Sequence, residues 1–342
     1  MNSMMQKIFK AAIFLFAFII LTGCINQGSF AVNAKEVKKR SAWLTYWDLE
    51  AGEGELEKAS GKLAEISYFG AYFAENDGLF LPEELAGKRN ERKIKRIRYE
   101  TYLTIVNDRQ NPDGSVALKD IDVLRRVLAD DAAMEKHIDE ILALTLQGGY
   151  DGMEIDYEKL WTDEKVARSF ITFTEKLYEK ARRNNLKLRI VLEPSAPFNT
   201  AGFFKGPEYV VMFYNLYGLH STPGPKANKA FIQKMITRMQ ALPGEKSIAL
   251  STGGCVWGDN GDKRFITEGE AKVLATVYGA EMRRDGESQC LVFDYQAKDV
   301  NYQVWFADME TINFWISVAK ERGMNNISLW RLGGNVDIRK LN

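Results

Sequence analysis

Glu154, Asp156 and Glu158 occupy alternate positions in the run Tyr150-Asp151-Gly152-Met153-Glu154-Ile155-Asp156-Tyr157-Glu158. In a strand, successive side chains point to opposite faces, so the three acids share one face while Met153, Ile155 and Tyr157 line the other. Carboxylates stacked along one side repel one another, and that repulsion, together with loss of water, raises the pKa of at least one of them. A carboxyl that keeps its proton near neutral pH can act as a general acid. A solvated strand edge would also tolerate three acids, and the trio could instead hold a hard cation for metal-assisted hydrolysis. The surroundings favour a covered strand. The run follows Gly148-Gly149 after a helix-like stretch and leads into another helix, the βα rhythm of a parallel sheet.

The elements that would position these acids are legible along the chain. Strand-like apolar runs lie near Ala42–Trp47, Ala64–Phe69, Tyr102–Val106, Gly152–Tyr157, Leu188–Leu192, Val210–Tyr214, Ile248–Ser251 and Ile327–Trp330. Helix-period stretches between several of them are clearest at Asp131–Gln147, Glu164–Asn184, Lys229–Leu242 and Met309–Arg322. Eight strands with intervening helices predict an α/β fold, a single (β/α)8 TIM barrel, over residues 41–342. Residues from about 258 to 306 interrupt the rhythm. There Leu291–Tyr295 and Tyr302–Phe306 alternate like short antiparallel strands, which predicts a small α+β insertion between strands seven and eight. A doubly wound open sheet would need a Gly-rich phosphate turn after the first strand, and Trp47-Asp48-Leu49-Glu50 is not one.

In such a barrel the C-terminal strand ends form the active face. Glu158 falls there, with Tyr46 and Trp47 after strand one, Asn107 after strand three, Glu193 after strand five, Tyr214 and Asn215 after strand six, Trp257 after strand seven and Trp330 at strand eight. A mouth of carboxylates and large aromatics suits sugars, whose rings offer apolar C–H faces to stack and hydroxyls to bind.

Composition narrows the alternatives. The chain has 342 residues, 46% hydrophobic and 27% charged, as an ordinary globular protein does. Lys7 and Lys10 precede an apolar run from Ala11 to Leu21, which ends in Leu21-Thr22-Gly23-Cys24. The run is short for a membrane span but suits a secretory signal. Its ending resembles the bacterial lipobox, in which the signal, here residues 1–23, is removed and the Cys is lipidated. Residues 24–40 then read as a tether, and the protein as an extracytoplasmic, lipid-anchored component of a bacterial cell envelope with the membrane as partner through Cys24. Loss of residues 1–23 removes two lysines and no acid, leaving 44 basic against 46 acidic residues, with no basic arm for nucleic acid. Two histidines, His137 and His220, argue against a His-rich metal site and against a Ser-His-Asp hydrolase, so neither a metal nor a cofactor is expected. Cys255 and Cys290 could pair in an oxidising compartment.

Asp151-Gly-Met-Glu154-Ile-Asp156-Tyr-Glu158 resembles the DGxDxDxE signature of glycoside hydrolase family 18, the chitinase-like enzymes. Val210–Asn215 is similar to the sixth-strand motif of that family and Ile327–Gly333 to its eighth-strand ending. Ile66–Phe69 through Asp77-Gly78, and Val304–Asp308, look most like the bacterial branch of spore cortex-lytic N-acetylglucosaminidases. The resemblance implies hydrolysis of β-linked N-acetylglucosamine, in peptidoglycan or chitin-like oligosaccharides, with retention. It implies Glu158 as general acid, Asp156 and Tyr214 as the grip on an N-acetyl group that serves as nucleophile, and Trp330 as the floor of the subsite. Glu154, Asn215 and Asp151 would support them, and Tyr46, Trp47, Asn107, Met212 and Trp257 would contribute to substrate binding. The sequence departs from the family at Glu154 and Asn215, each in place of the usual Asp. Strand three, ending Thr104-Ile-Val-Asn107-Asp108, also lacks Ser-x-Gly-Gly, which points away from long chitin chains. A sugar-binding lipoprotein with weak or no turnover on the same barrel is the alternative, since a fold alone does not decide function.

Overall fold

The computed structural model describes residues 39–85, 99–111 and 115–342. The signal, Cys24 and nearly all of the tether lie outside the described residues. Among those described, no helix is long and apolar enough to cross a membrane.

Eight runs rich in β-branched and aromatic residues form the parallel strands β1 (Arg40–Thr45), β2 (Glu65–Phe73), β3 (Glu100–Gln110), β4 (Gly152–Asp156), β5 (Lys187–Leu192), β6 (Glu208–Met212), β7 (Lys246–Ser251) and β8 (Ile327–Trp330). Each pairs with the next and β8 returns to β1, which closes the sheet into the expected barrel. Around it lie the helices α1 (Leu49–Lys58), α2 (Ile121–Val127), α3 (Asp131–Gly148), α4 (Glu164–Arg183), α5 (Lys229–Met239) and, after α6 (Glu268–Val277) of the insertion, α7 (Met309–Lys320). The main core is the shell between barrel and helices. Outward-facing Met153, Ile155, Ile190, Val211 and Ile248 pack there against Ile138, Phe170, Phe173, Ile232 and Ile316.

The barrel interior is unusually polar beneath the mouth. Arg189 on β5 is fully buried and reaches Glu154 on β4 at 3.3 Å and Glu208 on β6 at 3.7 Å. It donates hydrogen bonds to Ser67 on β2 at 3.2 Å, Ser41 on β1 at 3.2 Å and Ser328 on β8 at 3.0 Å. Burial pushes the nearby Glu65 carboxyl up to about 7 despite the Arg189 charge. A guanidinium with five donors in a planar fork suits such a node.

The approach to β4 is tightly built. Asp130 caps α3 by accepting from the Ala133 N–H at 2.9 Å, and the helix ends at Gly149, whose φ of 64° is the left-handed cap conformation. At Gly152 a Cβ would lie 2.6 Å from the Lys187 carbonyl oxygen and 2.7 Å from the Tyr102 ring, so β3 and β5 leave room only for glycine.

The insertion is an antiparallel sheet of Gly253–Gly258, Lys263–Ile266, Arg283–Arg284, Leu291–Ala297 and Val300–Ala307, with α6 packed on it. It starts at Gly253, earlier than the expected residue 258. Gly253, at φ 61°, turns the chain sharply out of β7 and straight into the first strand of the insertion. Cys255 and Cys290 are buried free thiols here.

Candidate active site

A cavity of about 580 Å³ opens at the C-terminal ends of the barrel strands. Asp156, Glu158, Tyr214, Met212, Asn215, Asn107, Trp47 and Trp330 of the sequence-derived set all line it. β4 ends at Asp156, so Asp156 points into the mouth while Glu158 stands just beyond the strand. Asn107 is nearly inaccessible and fixes this extension. Its Oδ1 accepts from the Glu158 N–H at 2.9 Å, and its Nδ2 donates to the Glu158 carbonyl at 3.1 Å and to the Asp120 carbonyl at 3.3 Å. Its amide is thus committed to backbone, which makes it a positioning residue.

Asp156 is buried, and its Oδ1 has no hydrogen-bond partner among the described residues. Burial raises its pKa well above the ordinary carboxylate value, and the charges of Glu158 and Glu154 push it further against the pull of Lys119. Burial also raises the Glu158 pKa, opposed by Lys119, whose Nζ pairs with Glu158 Oε2. Tyr214 is buried beside these acids, and both burial and their charge hold its hydroxyl protonated. Burial and mutual repulsion thus favour a proton within this coupled set of carboxyls, which titrates as a group.

The aromatics build the floor and one wall. Trp330 packs edge-on against Phe69 at 4.8 Å and Trp43 at 5.9 Å, and the peptide following it is cis. Met212, Val106 and Tyr214 belong to the same cluster. Trp47 is 46% exposed at the rim, with the Arg331 guanidinium 5.7 Å from its ring centroid.

Glu154 and Asp151, expected in support, lie below the cavity, while Tyr46 and Trp257, expected to bind substrate, do not line it. Glu154 lies one layer below the mouth, fully buried, accepting from Trp43 Nε1 at 2.5 Å and Thr104 Oγ1 at 2.8 Å and facing Arg189. It therefore couples to Asp156 only through its charge. Asp151 sits at the opposite end of β4, accepting from the Thr101 N–H at 2.8 Å and hydroxyl at 2.7 Å, and it ties β3 to β4. Tyr46 stands behind Trp47, edge-on at 5.1 Å, and does not line the cavity. Trp257 belongs to the insertion sheet and is buried, with its indole N–H donating to the Gly218 carbonyl at 3.2 Å. It lines a separate depression of about 830 Å³ with His220, Tyr295 and Tyr302, where the carboxylates, Asp259 and Asp294, are exposed.

Sequence reasoning missed Lys119, Lys226 and Arg331, which all line the cavity. A signal existed for Lys119. Asn111-Pro112-Asp113-Gly114 is a turn sequence, and Val116–Ala117 pairs antiparallel with Arg109–Gln110, which folds the chain back over the mouth. Lys119, at φ 56°, is then held by its N–H donating to Asp108 Oδ1 at 2.7 Å. Among the described residues no group of three or more His, Cys, Asp or Glu could hold a metal ion.

No family model matches the chain. It is similar to the cortical fragment-lytic enzyme of Bacillus subtilis (strain 168), at 22% identity over 296 residues, which cover 78% of this chain and 65% of that protein. The chain thus spans slightly less than two thirds of that relative's length. Its structure is similar to the chitinase from Chromobacterium violaceum (TM-score 0.73, 16% identity, 89% of this chain and 96% of that one). It is likewise similar to the Bacillus cereus spore cortex-lytic enzyme SleL (TM-score 0.73, 19% identity, 88% of this chain and 72% of that one). What this chain shares with both solved structures is the closed (β/α)8 fold, and its own acid-bearing strand end lies in the mouth of that barrel.

Proposed function

We propose that the protein is a glycosidase of the family 18 type, hydrolysing β-linked N-acetylglucosamine in peptidoglycan or chitin-like oligosaccharides with retention. The observation that carries this reading is the convergence of Asp156, Glu158, Tyr214 and Trp330 on one cavity, with Asp156 Oδ1 buried and without a partner. Glu158 donates its proton to the glycosidic oxygen. Asp156 and Tyr214 hold the N-acetyl group of the sugar stacked on Trp330, so that its carbonyl oxygen attacks the anomeric carbon. A water then opens the cyclised intermediate with Glu158 as base, and two displacements at one carbon restore its configuration. The likeness to a cortical fragment-lytic enzyme and to a chitinase supports a glycan containing N-acetylglucosamine as substrate.

One observation favours a second reading, sugar binding without turnover: the Lys119 ammonium on Glu158 stabilises the ionised carboxylate, which has no proton to give. The variant Glu158→Gln separates the two. It keeps the shape of the side chain but removes the transferable proton, and a general acid is worth about 10²-fold to 10⁴-fold in rate. Release of new reducing ends from defined peptidoglycan and chitooligosaccharide fragments should fall by that order in the purified variant. A rate equal to wild type would overturn the assignment of Glu158.

A further inference from the structure

Among the described residues three cations line the cavity, and they differ in their partners. Lys119 pairs with Glu158, and Arg331 with Asp48 Oδ2 at 2.5 Å. Lys226 makes no ion pair with any described residue. It sits in the loop after β6, and its Nζ donates to the Ser251 hydroxyl at 2.9 Å and the Thr252 carbonyl at 3.4 Å. The Phe265 ring lies 5.4 Å from it. Glu270, on the same wall, is turned away to the Thr267 N–H at 2.8 Å and hydroxyl at 3.0 Å as a helix cap. β7, which carries Ser251, stands three strands round the ring from β4, so the acids of the mouth belong to a different wall. Burial lowers the Lys226 pKa, and no carboxylate is among the main influences that oppose it.

A lysine drawn out of water beside neutral oxygens is incompletely compensated, and two of its three N–H donors are taken. The remaining donor and the charge are available to an anion entering the cleft. We propose that Lys226 is an anion-accepting position of this cleft, which selects glycans bearing a carboxylate close to the reacting sugar over neutral ones. The proposal rests on the glycan-binding reading given above and narrows its substrate class from neutral chitin-like chains to acidic ones. The carboxylate could belong to a sugar's own lactyl ether or to a short peptide attached through it.

The test is calorimetric titration of the Glu158→Gln protein, in which turnover does not consume the ligand. The probes are four-sugar β-1,4 glycans: neutral tetra-N-acetylchitotetraose, an alternating N-acetylglucosamine and N-acetylmuramic acid chain with free lactyl carboxylates, its methyl amide, and its L-alanyl amide. A charge-assisted hydrogen bond predicts about tenfold tighter binding of the free acid than of the methyl amide. That ratio should collapse toward one when Lys226→Gln is added and persist with Lys226→Arg. Because it is a ratio within one preparation, partial misfolding of a variant cancels. If the alanyl form carries the preference instead, the carboxylate is read on the peptide. Binding of the methyl amide as tight as that of both acidic forms, or a preference for the acidic form left unchanged by Lys226→Gln, would overturn the anion site while leaving glycan binding intact. Failure to bind any of the four glycans would overturn the glycan reading itself.

Discussion

Burial favours a proton on Glu158, whereas the Lys119 ammonium favours the carboxylate. Burial also works against the Lys119 charge, but Glu158, Asp156 and Glu193 outweigh it and hold that ammonium above its usual pKa, so it stays charged at neutral pH. The alkaline limb of kcat/KM reports loss of the general acid's proton in the free enzyme. Lys119→Met removes a charge that favours the ionised form, so Glu158 keeps its proton to higher pH and the alkaline limb moves upward. A limb left at its wild-type position would mean that Lys119 does not govern this proton. The acids themselves were legible because a strand's period and its C-terminal end assign both face and location, and Tyr214 and Trp330 follow by the same rule. Lys119 is separated from Glu158 by 39 residues, and only the hairpin fold-back brings the two together.

At the scale of elements, α3 closes over the outer face of β4 and the turn beyond it. His137 on α3 is buried, with Nε2 2.6 Å from the Tyr157 hydroxyl and ring centroids 5.2 Å from Phe73 and 5.4 Å from Phe173. Burial lowers its pKa to about 3, against about 6.5 in an unfolded chain. Between those values the unfolded chain binds a proton that the folded one refuses. The contribution to stability is therefore complete above the unfolded value and is lost as pH falls toward the folded one, by at most about 1.4 kcal/mol per pH unit. Urea unfolding at a series of pH values should give a shallower acid decline for His137→Gln than for wild type. Parallel declines in the two proteins would place the acid sensitivity elsewhere. The barrel strands and the helices α3, α4, α5 and α7 were legible from their periods, to within a few residues. The start of the insertion was not, because Thr252-Gly253-Gly254 reads as the loop after strand seven, whereas the reversal depends on one backbone angle at Gly253. Trp257 was misplaced for the same reason.

For the whole molecule, the closed barrel was legible from eight strand signals, but its polar interior was not. Glu65, Arg189 and Glu208 stand on three different strands, and only closure of the ring brings them together. Lipidation at Cys24 is likewise a proposal about the whole protein, resting on Leu21-Thr22-Gly23-Cys24. Mass spectrometry of the protein from its native envelope should find a chain that begins at a lipid-modified Cys24, and Cys24→Ala should leave the precursor unprocessed. An unmodified Cys24 still joined to residues 1–23 in the wild type would exclude the anchor. The chain enters the barrel at Arg40, where β1 begins, and every parallel strand starts at that same end. The six residues of β1, at about 3.3 Å each, put roughly 20 Å of strand between this floor and the mouth. If Cys24 carries the lipid, the chain that leads from it enters the barrel at the end opposite the cleft, so the anchor and the substrate do not compete for one face.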